Sequence, residues 1–296
     1  MKKDIKVGFI CGGERQIITA KKIASYGYET VLYGFDKYSG DFGLCTRIKN
    51  LSDLISMSDV LILPLPATSD GMSVNAPFSE KTINLSEIFT ANCDNKLFLY
   101  GGCGNIIEKY ASEHKLHAFD YYGIEKLKLK NALLTVEGVI EIALREMKSS
   151  LYESKCLVVG YGRIGKILSE RLKAFGAEVY ASARKKEKLT DAEMNGIIPV
   201  KNEELPSAAE KCSLIVNTVP AKVIDESVLC KTSESTLIID VASKPGGVDF
   251  DEAKKRNINV IWALELPGKT APETAGRFIA ETLDGIIKEN ADFFGG

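Results

Sequence analysis

The chain has 296 residues, of which 45% are hydrophobic and 26% charged, and its formal net charge is −2. This length allows two domains of ordinary size, and the composition is typical of a packed globular protein. The balanced charge argues against a general nucleic-acid surface. No apolar stretch has the length of a membrane span or the form of a signal peptide, so we expect a cytoplasmic protein that binds neither nucleic acid nor membranes.

The cysteines and histidines form no recognisable site. No two cysteines have the C-x-x-C spacing of a zinc site, and their odd number argues against a disulfide framework, so we expect reduced thiols and no metal. The two histidines, His114 and His117, lie at a charged helix end and in the strand that follows, which supports no histidine-based triad. The seven cysteines are Cys11, Cys45, Cys93, Cys103, Cys156, Cys212 and Cys230.

The first half of the chain alternates apolar strands with an amphipathic helix. Continuous apolar character is typical of buried parallel strands, and such alternation predicts a doubly wound α/β sheet. The predicted strands are Lys6–Ile10, Glu29–Tyr33, 60–64 and 97–100, and the helix after the first strand is predicted at 15–25.

The turn after the first strand predicts a small-anion site. Gly13, Arg15 and Gln16 stand at the start of the helix, where backbone N–H groups and an arginine suit a carboxylate. The turn lacks the third glycine of a dinucleotide fingerprint, so we expect no second cofactor here. The alternative is that Glu14 caps the helix and Arg15 is an ordinary surface residue.

The segment 64–84 is rich in Pro, Ser, Asn and Gly. We predict a long loop that is too polar to belong to the core, and either functional or simply a surface loop. Gly101–Asn105 supplies another flexible tip at the end of a strand.

A long helix is predicted at 135–150 because its apolar residues recur with a period of 3.6. It would bridge an N-terminal substrate domain at 1–134 and a cofactor domain at 151–270. Thr135 and Glu137 would then open this helix at the domain junction. A carboxylate there could serve as a general base, or could only stabilise the helix dipole.

The residues after this helix carry the most specific signal in the chain. Gly160, Gly162 and Gly165 have the G-x-G-x-x-G spacing between an apolar strand and a helix, as in a dinucleotide-binding turn. Arg163 and Ile164 lie inside this turn, where the arginine could reach a phosphate or stay solvated. We therefore predict a Rossmann-like cofactor domain.

The second strand of this domain ends in Ser182, Ala183, Arg184 and Lys185, where an NAD site would place an acid for the ribose hydroxyls. Hydroxyl and cationic groups suit a 2′-phosphate instead, so the sequence predicts NADP, with a charged surface turn as the alternative.

Two further strand ends should meet the same crevice, because ligands of open α/β sheets bind beyond the carboxyl ends of the strands. The predicted cofactor contacts at these ends are Asn217, Thr218, Val219, Pro220, Ala242, Ser243 and Lys244.

The segment 266–276 is predicted as a loop rich in backbone N–H groups, in which Lys269 and Thr270 would contact a substrate carboxylate. A final helix at 275–289 would pack back on the first domain. The expected architecture is therefore α/β, with two doubly wound Rossmann-like domains and a cleft between them.

Seven motifs spread along the chain resemble those of the A subunits of dipicolinate synthase. In chain order they are GGERQ (12–16), LPLPAT (63–68), TVEGVI (135–140), VVGYGRIG (158–165), NTVP (217–220), DVASKPGGVDF (240–250) and LPGKTAPETAG (266–276). One departure is that GGERQ replaces the family's frequent GGDxRQ.

The resemblance implies oxidation of dihydrodipicolinate to dipicolinate with NADP, in the mother cell of a sporulating bacterium. It also implies a flavoprotein-like partner, the B subunit, which is encoded as a separate chain, and we expect a homo-oligomer. Glu137 would be the base, or a water held by Thr135 or Ser243, while Arg15 and Lys269 would bind the dicarboxylate. The alternatives are an NADP-dependent 2-hydroxy or 2-keto acid reductase, which would lack a suitable histidine, and a non-catalytic chain that senses NADP for a catalytic partner.

Overall fold

The structure, a computed structural model, describes residues 5–89 and 95–294. Cys93 therefore lies outside the described residues. The chain divides into two compact units. Unit 1 comprises Met1–Lys130 and Ala271–Gly296, and unit 2 comprises Asn131–Thr270.

The strands of the described residues form two parallel six-stranded sheets, one in each unit. The strands of unit 1 are β1 (Lys6–Ile10), β2 (Glu29–Tyr33), β3 (Thr46–Arg47), β4 (Val60–Ile62), β5 (Leu97–Tyr100) and β6 (His117–Asp120). The strands of unit 2 are β7 (Lys155–Val159), β8 (Glu178–Ser182), β9 (Ile198–Val200), β10 (Leu214–Asn217), β11 (Leu237–Asp240) and β12 (Asn259–Trp262).

The helices connect these strands. They are α1 (Glu14–Ser25), α2 (Leu51–Met57), α3 (Leu85–Phe89), α4 (Gly104–Glu113), α5 (Glu125–Glu146), α6 (Arg163–Ala174), α7 (Lys186–Met194), α8 (Leu205–Ala209), α9 (Glu226–Leu229), α10 (Phe250–Lys255), α11 (Leu266–Thr270) and α12 (Pro272–Glu289). None of the described helices is long and apolar enough to cross a membrane.

The strand order is β3-β2-β1-β4-β5-β6 in unit 1 and β12-β11-β10-β7-β8-β9 in unit 2. The order reverses between β1 and β4 in the first sheet and between β7 and β10 in the second. The central strands are buried, which explains their continuous apolar sequences. The predicted α/β fold with two doubly wound Rossmann-like domains is confirmed.

The prediction for the long helix at 135–150 was wrong at both ends. Helix α5 begins at Glu125 and ends at Glu146, and the division between the units falls inside it, after Lys130. Its first half was missed because Leu129 and Leu133 are exposed while Leu127 and Leu134 are buried, which obscures the helical period. Thr135 and Glu137 therefore lie in the middle of the helix, and neither is in its first turn.

The prediction of a loop at 266–276 was also wrong. Residues Leu266–Thr270 form the short helix α11, and α12 begins at Pro272. Leu266 and Pro267 are buried, and Pro272 stands in the first turn of α12, where its missing N–H costs nothing. The proline and glycine residues of this segment therefore belong to two helices, and residues 266–276 do not form an extended loop with free N–H groups.

The segment 64–84 is a loop, but it is not too polar for the core. Ala67, Val74 and Ile83 are buried in an apolar cluster of unit 1. Asp70 organises the segment by accepting hydrogen bonds from the backbone N–H groups of Met72 and Ser73, both at 2.8 Å. The hydrogen bond from the Ser73 hydroxyl, together with these two backbone bonds, holds the pKa of Asp70 well below its usual range.

Helix α12 completes the core of unit 1. Its buried face packs against α1 and shares an apolar cluster with the central strands. Gly276 permits this approach, because a Cβ there would lie 2.6 Å from Ile18 Cγ2 and 3.0 Å from Arg15 O. Thr19 Oγ1 donates across the contact to Gly276 O at 3.2 Å. The residues of α12 in the cluster are Ile279, Ala280, Leu283, Ile286 and Ile287.

Candidate functional site

The three glycines of the turn between β7 and α6 have three different roles. Gly160 has a φ of +97°, and a Cβ there would lie 2.5 Å from Thr218 Oγ1. Gly165 packs so closely that a Cβ would overlap Gly160 O. At Gly162, by contrast, a Cβ would meet no heavy atom within 4 Å. Two glycines thus let the turn fold, and the third leaves open space at the helix N-terminus, where a pyrophosphate binds in this fold.

The N-terminus of α6 is suited to a phosphate. Gly162 is its N-cap, with no side-chain capping bond, and its first turn contains no acid. Arg163 and Ile164 are the first two helical residues, and the first helical bond to the turn runs from Lys166 N to Gly162 O, at 2.9 Å. The helix dipole therefore favours an anion at this end.

Ser182 and Thr218 support the turn from the neighbouring strands. Ser182 is buried, and its Oγ lies 3.4 Å from Gly160 N, which also donates to Ser182 O at 3.1 Å. Thr218 Oγ1 donates to Val159 O at 3.0 Å. Both hydroxyls thus hold the shape of the turn.

The tip after β8 carries exposed positive charge. Ala183 is half-buried, whereas Arg184 and Lys185 are exposed and precede helix α7. Within the residues that the structure describes, neither cation forms an ion pair. Nearby, Lys166 of α6 pairs with Asp191 of α7 at 2.9 Å and so joins the two helices that flank this tip.

A buried polar network joins the ends of β10 and β11. Asn217 and Asp240 are both fully buried, and Asn217 Nδ2 donates to Asp240 Oδ1 at 2.8 Å. Asp240 also accepts from the backbone N–H groups of Ala242 (3.0 Å) and Gly247 (2.8 Å). A Cβ at Gly247 would lie 2.5 Å from Val219 O, so the loop can close only on glycine.

The other predicted cofactor contacts near this network differ in exposure. Ala242 is buried, and its carbonyl accepts from Trp262 Nε1 at 3.0 Å. Pro220, Ser243 and Lys244 are exposed, beyond the carboxyl ends of β10 and β11. Sequence reasoning missed the role of Asp240, although an acid at the end of an apolar strand, seven residues before a Gly, is a usable signal.

In unit 1, the residues Gly13, Arg15 and Gln16 lie at the carboxyl end of the sheet. Gly13 is the N-cap of α1 and makes no side-chain capping bond. The guanidinium of Arg15 donates from Nη2 to Leu65 O, which places its charge beside the end of β4. Gln16 is buried, and its Nε2 has no hydrogen-bond partner in the described part of the chain.

Cys11 and Asp120, which also lie near this end, have structural roles. Burial, with the charge of Asp36, raises the pKa of Cys11 to about 12, so its thiol stays protonated at neutral pH. Asp120 accepts from the backbone N–H groups of Gly102 (2.9 Å) and Tyr122 (2.8 Å) and so ties β5 to β6. Among the described residues, no cluster of His, Cys, Asp or Glu could hold a metal ion.

In unit 2, α5 and α11 bring together two of the predicted motifs. A Cβ at Gly138 would lie 2.8 Å from Thr270 Oγ1 and 3.0 Å from Leu266 Cβ, so this glycine lets α11 rest on α5. Thr135 is buried, and its Oγ1 donates to Asn131 O at 2.9 Å. Glu137, Lys269 and Thr270 are exposed.

Two family models match parts of the chain that overlap at residues 116–122. Residues 6–122 match the N-terminal domain of the dipicolinate synthase A subunits. Residues 116–246 match the NAD-binding domain of the D-isomer specific 2-hydroxyacid dehydrogenases. This second match agrees with the glycine turn and supports a nicotinamide cofactor and an oxidoreductase-like protein.

Similar proteins extend the match over nearly the whole chain. The dipicolinate synthase A subunit of Bacillus subtilis is 29% identical over 288 residues, which are 96% of each protein. The crystal structure of that protein superposes with a TM-score of 0.85 at 28% identity and covers 98% of this chain and 97% of its own. The corresponding protein of Bacillus halodurans gives the same TM-score and identity, covering 97% of this chain and 99% of its own. The resemblance to the A subunits of dipicolinate synthase that the seven motifs indicated is therefore confirmed along nearly the full length of the chain.

Proposed function

We propose that the chain oxidises dihydrodipicolinate to dipicolinate with NADP as the hydride acceptor. The observation that carries this proposal is the glycine turn of unit 2, with open space at Gly162 and exposed cations at the tip of β8. The full-length similarity to two A subunits of dipicolinate synthase supports the substrate.

In this proposal the pyrophosphate lies against Gly162 and the N-terminus of α6, and Arg184 and Lys185 bind the 2′-phosphate. We propose that Ser182 and Asn217 position the cofactor site without contacting the cofactor. Ser182 Oγ accepts a hydrogen bond from Gly160 N of the turn, and Asn217 Nδ2 donates one to Asp240. The exposed tips at Pro220, Ser243 and Lys244 complete the cofactor contacts. When bound, the nicotinamide accepts a hydride from carbon.

The residues of the chain orient the substrate and remove a proton. Gly13, Arg15 and Gln16 are proposed as carboxylate contacts within unit 1. Lys269 and Thr270 are proposed separately as carboxylate contacts within unit 2. Glu137 is the proposed base, because its carboxylate is exposed and makes no hydrogen bond or ion pair within the described residues. For Thr135 we propose a packing role, since its hydroxyl hydrogen is used within α5. Loss of the hydride and the proton makes the ring aromatic, which drives the reaction.

Absorbance of NADPH tests this function directly. Purified chain, NADP and freshly generated dihydrodipicolinate should produce NADPH. We also propose that the chain forms a homo-oligomer and that a flavoprotein-like B subunit supports its turnover, in the mother cell of a sporulating bacterium. A parallel assay with NADPH and 2-keto acids tests the reductase alternative. Absence of NADPH formation both with and without the B subunit would overturn the dehydrogenase assignment.

The choice of NADP over NAD predicts a selective effect of Arg184→Ala. Removing a charge-assisted contact to the 2′-phosphate should lower NADP affinity about tenfold or more and leave NAD affinity nearly unchanged. Titration calorimetry with both cofactors measures this difference. Arg171→Ala, an exposed arginine in the last turn of α6, is the matched control and should change neither affinity. Equal loss of NAD and NADP binding in Arg184→Ala would refute the phosphate contact.

A further inference from the structure

The loop between β11 and α10 carries two of the proposed cofactor contacts, Ser243 and Lys244. Both are exposed, whereas Ala242 before them and Gly246 after them are buried. Gly246 N donates to Ser243 O at 2.9 Å, so residues 243–246 form a tight turn beyond the carboxyl end of β11. The position of this turn therefore sets where the two exposed side chains lie.

Asp240 closes the loop around this turn. It accepts from the backbone N–H groups of Ala242 and Gly247, and Gly247 O accepts in turn from Ile224 N at 3.0 Å. These bonds lie before and after the turn, and none of them is made to residues 243–246. They therefore hold the two ends of the loop and leave the turn itself to be held by other groups.

Trp262, at the end of the edge strand β12, contacts the loop on both sides of its exposed residues. Its Nε1 donates to the carbonyl of Ala242, the residue before the turn, at 3.0 Å. Its ring lies beside that of Phe250, with the ring centroids 5.2 Å apart. A Cβ at Gly246 would lie 3.4 Å from Trp262 Cε2 and 3.2 Å from Phe250 Cε2, so the end of the turn packs closely against both rings.

The two groups that hold this loop differ in burial. Asp240 is fully buried, whereas Trp262 is 36% exposed and its strand pairs with β11 alone among the described strands. Removing a buried acceptor leaves several donors unpaired in the core, but removing one donor at an exposed edge costs far less. Trp262 is therefore placed to control the turn with little effect on the stability of unit 2.

We propose that Trp262 is a positioning residue of the cofactor site. Its indole N–H and its ring hold the 243–246 turn in one place, so that Ser243 and Lys244 are ordered before the cofactor binds. This role rests on the proposed function, which assigns these two residues to the cofactor. Trp262 itself does not contact the cofactor. Ordering the turn in advance lowers the entropic cost of binding, so loss of Trp262 weakens affinity more than it weakens the fold.

Titration calorimetry and thermal unfolding of the full chain test this role. Trp262→Phe keeps an aromatic ring and removes the N–H donor, so it should weaken the binding of both NADP and NAD about fivefold while the Tm changes little. Trp262→Leu removes the ring as well and should weaken both about tenfold or more. The matched control is Tyr152→Leu, an exposed aromatic residue that precedes β7 and packs against Gly176, and it should change neither affinity.

A double-mutant cycle separates positioning from a merely structural role. In a chain that already carries Ser243→Ala and Lys244→Ala, the turn has no side chains left to position. Adding Trp262→Phe there should weaken NADP binding by less than about twofold. The same fivefold loss in this background as in the wild type would overturn the role proposed for Trp262.

The remaining outcomes distinguish this role from the proposed function. Affinities of Trp262→Phe equal to those of the wild type would overturn the role of Trp262 and leave the proposed function standing. If the cycle shows the expected coupling but dihydrodipicolinate yields no NADPH, the role of Trp262 is supported and the proposed function is wrong. If the wild type binds neither NADP nor NAD, both are refuted.

Discussion

Replacing Gly165 with alanine is expected to destabilise unit 2 by about 3 kcal/mol or more and to abolish NADP binding. The added Cβ would overlap Gly160 O, which is a backbone atom and has no rotamer to escape into. The turn cannot shift freely, because Thr218 N donates to Val159 O at 2.9 Å and Lys166 N to Gly162 O at 2.9 Å. Thermal and urea unfolding of the purified variant measure the loss.

Gly162→Ala in the same turn separates folding from binding. A Cβ there meets nothing within 4 Å, and the φ of −88° is open to alanine, so the Tm should change little. The methyl group would nevertheless stand where we propose that the pyrophosphate binds, so NADP affinity should fall about tenfold or more. Equal losses of Tm in the two variants would contradict the different roles given to these glycines.

Asp240→Ala should destabilise unit 2 by about 4 kcal/mol, because three buried donors lose their acceptor at once. These donors are Asn217 Nδ2 and the backbone N–H groups of Ala242 and Gly247. Asp240→Asn keeps one acceptor oxygen and should cost less. Urea unfolding measures both losses.

The control is Asp251→Ala, an exposed acid in the first turn of α10, which should change stability by at most about 0.5 kcal/mol. A loss for Asp240→Ala as small as that of the control would mean that the network does not hold the ends of β10 and β11 together.

The features that were predictable from the sequence are those set by neighbouring residues. The turn at Gly160 follows directly from an apolar strand, three spaced glycines and a helix, so local chemistry specifies it. The cations at Arg184 and Lys185 were predictable for the same reason, because they follow the next strand. Here local preference and tertiary structure agree.

The features that were missed depend on distant partners. Polar residues at 64–84 suggested an exposed loop, yet Val74 and Ile83 are buried because the segment folds against β4 and β5. One of the partners of Asp240 is Asn217, which precedes it by 23 residues. Gln16 Nε2 is buried without a hydrogen-bond partner among the described residues, and no period in the sequence indicates a missing partner.

The place of α12 in unit 1 has a consequence for how the chain is made. Ile279, Leu283 and Ile287 of α12 cover one face of the first sheet. They leave the ribosome only after all of unit 2 has been translated. About 140 residues separate the two parts, and at about 5–20 residues per second the nascent N-terminal part waits roughly 7–30 s with this face uncovered. During synthesis, unit 1 therefore cannot complete its core until α12 has emerged, although most of its residues are made first.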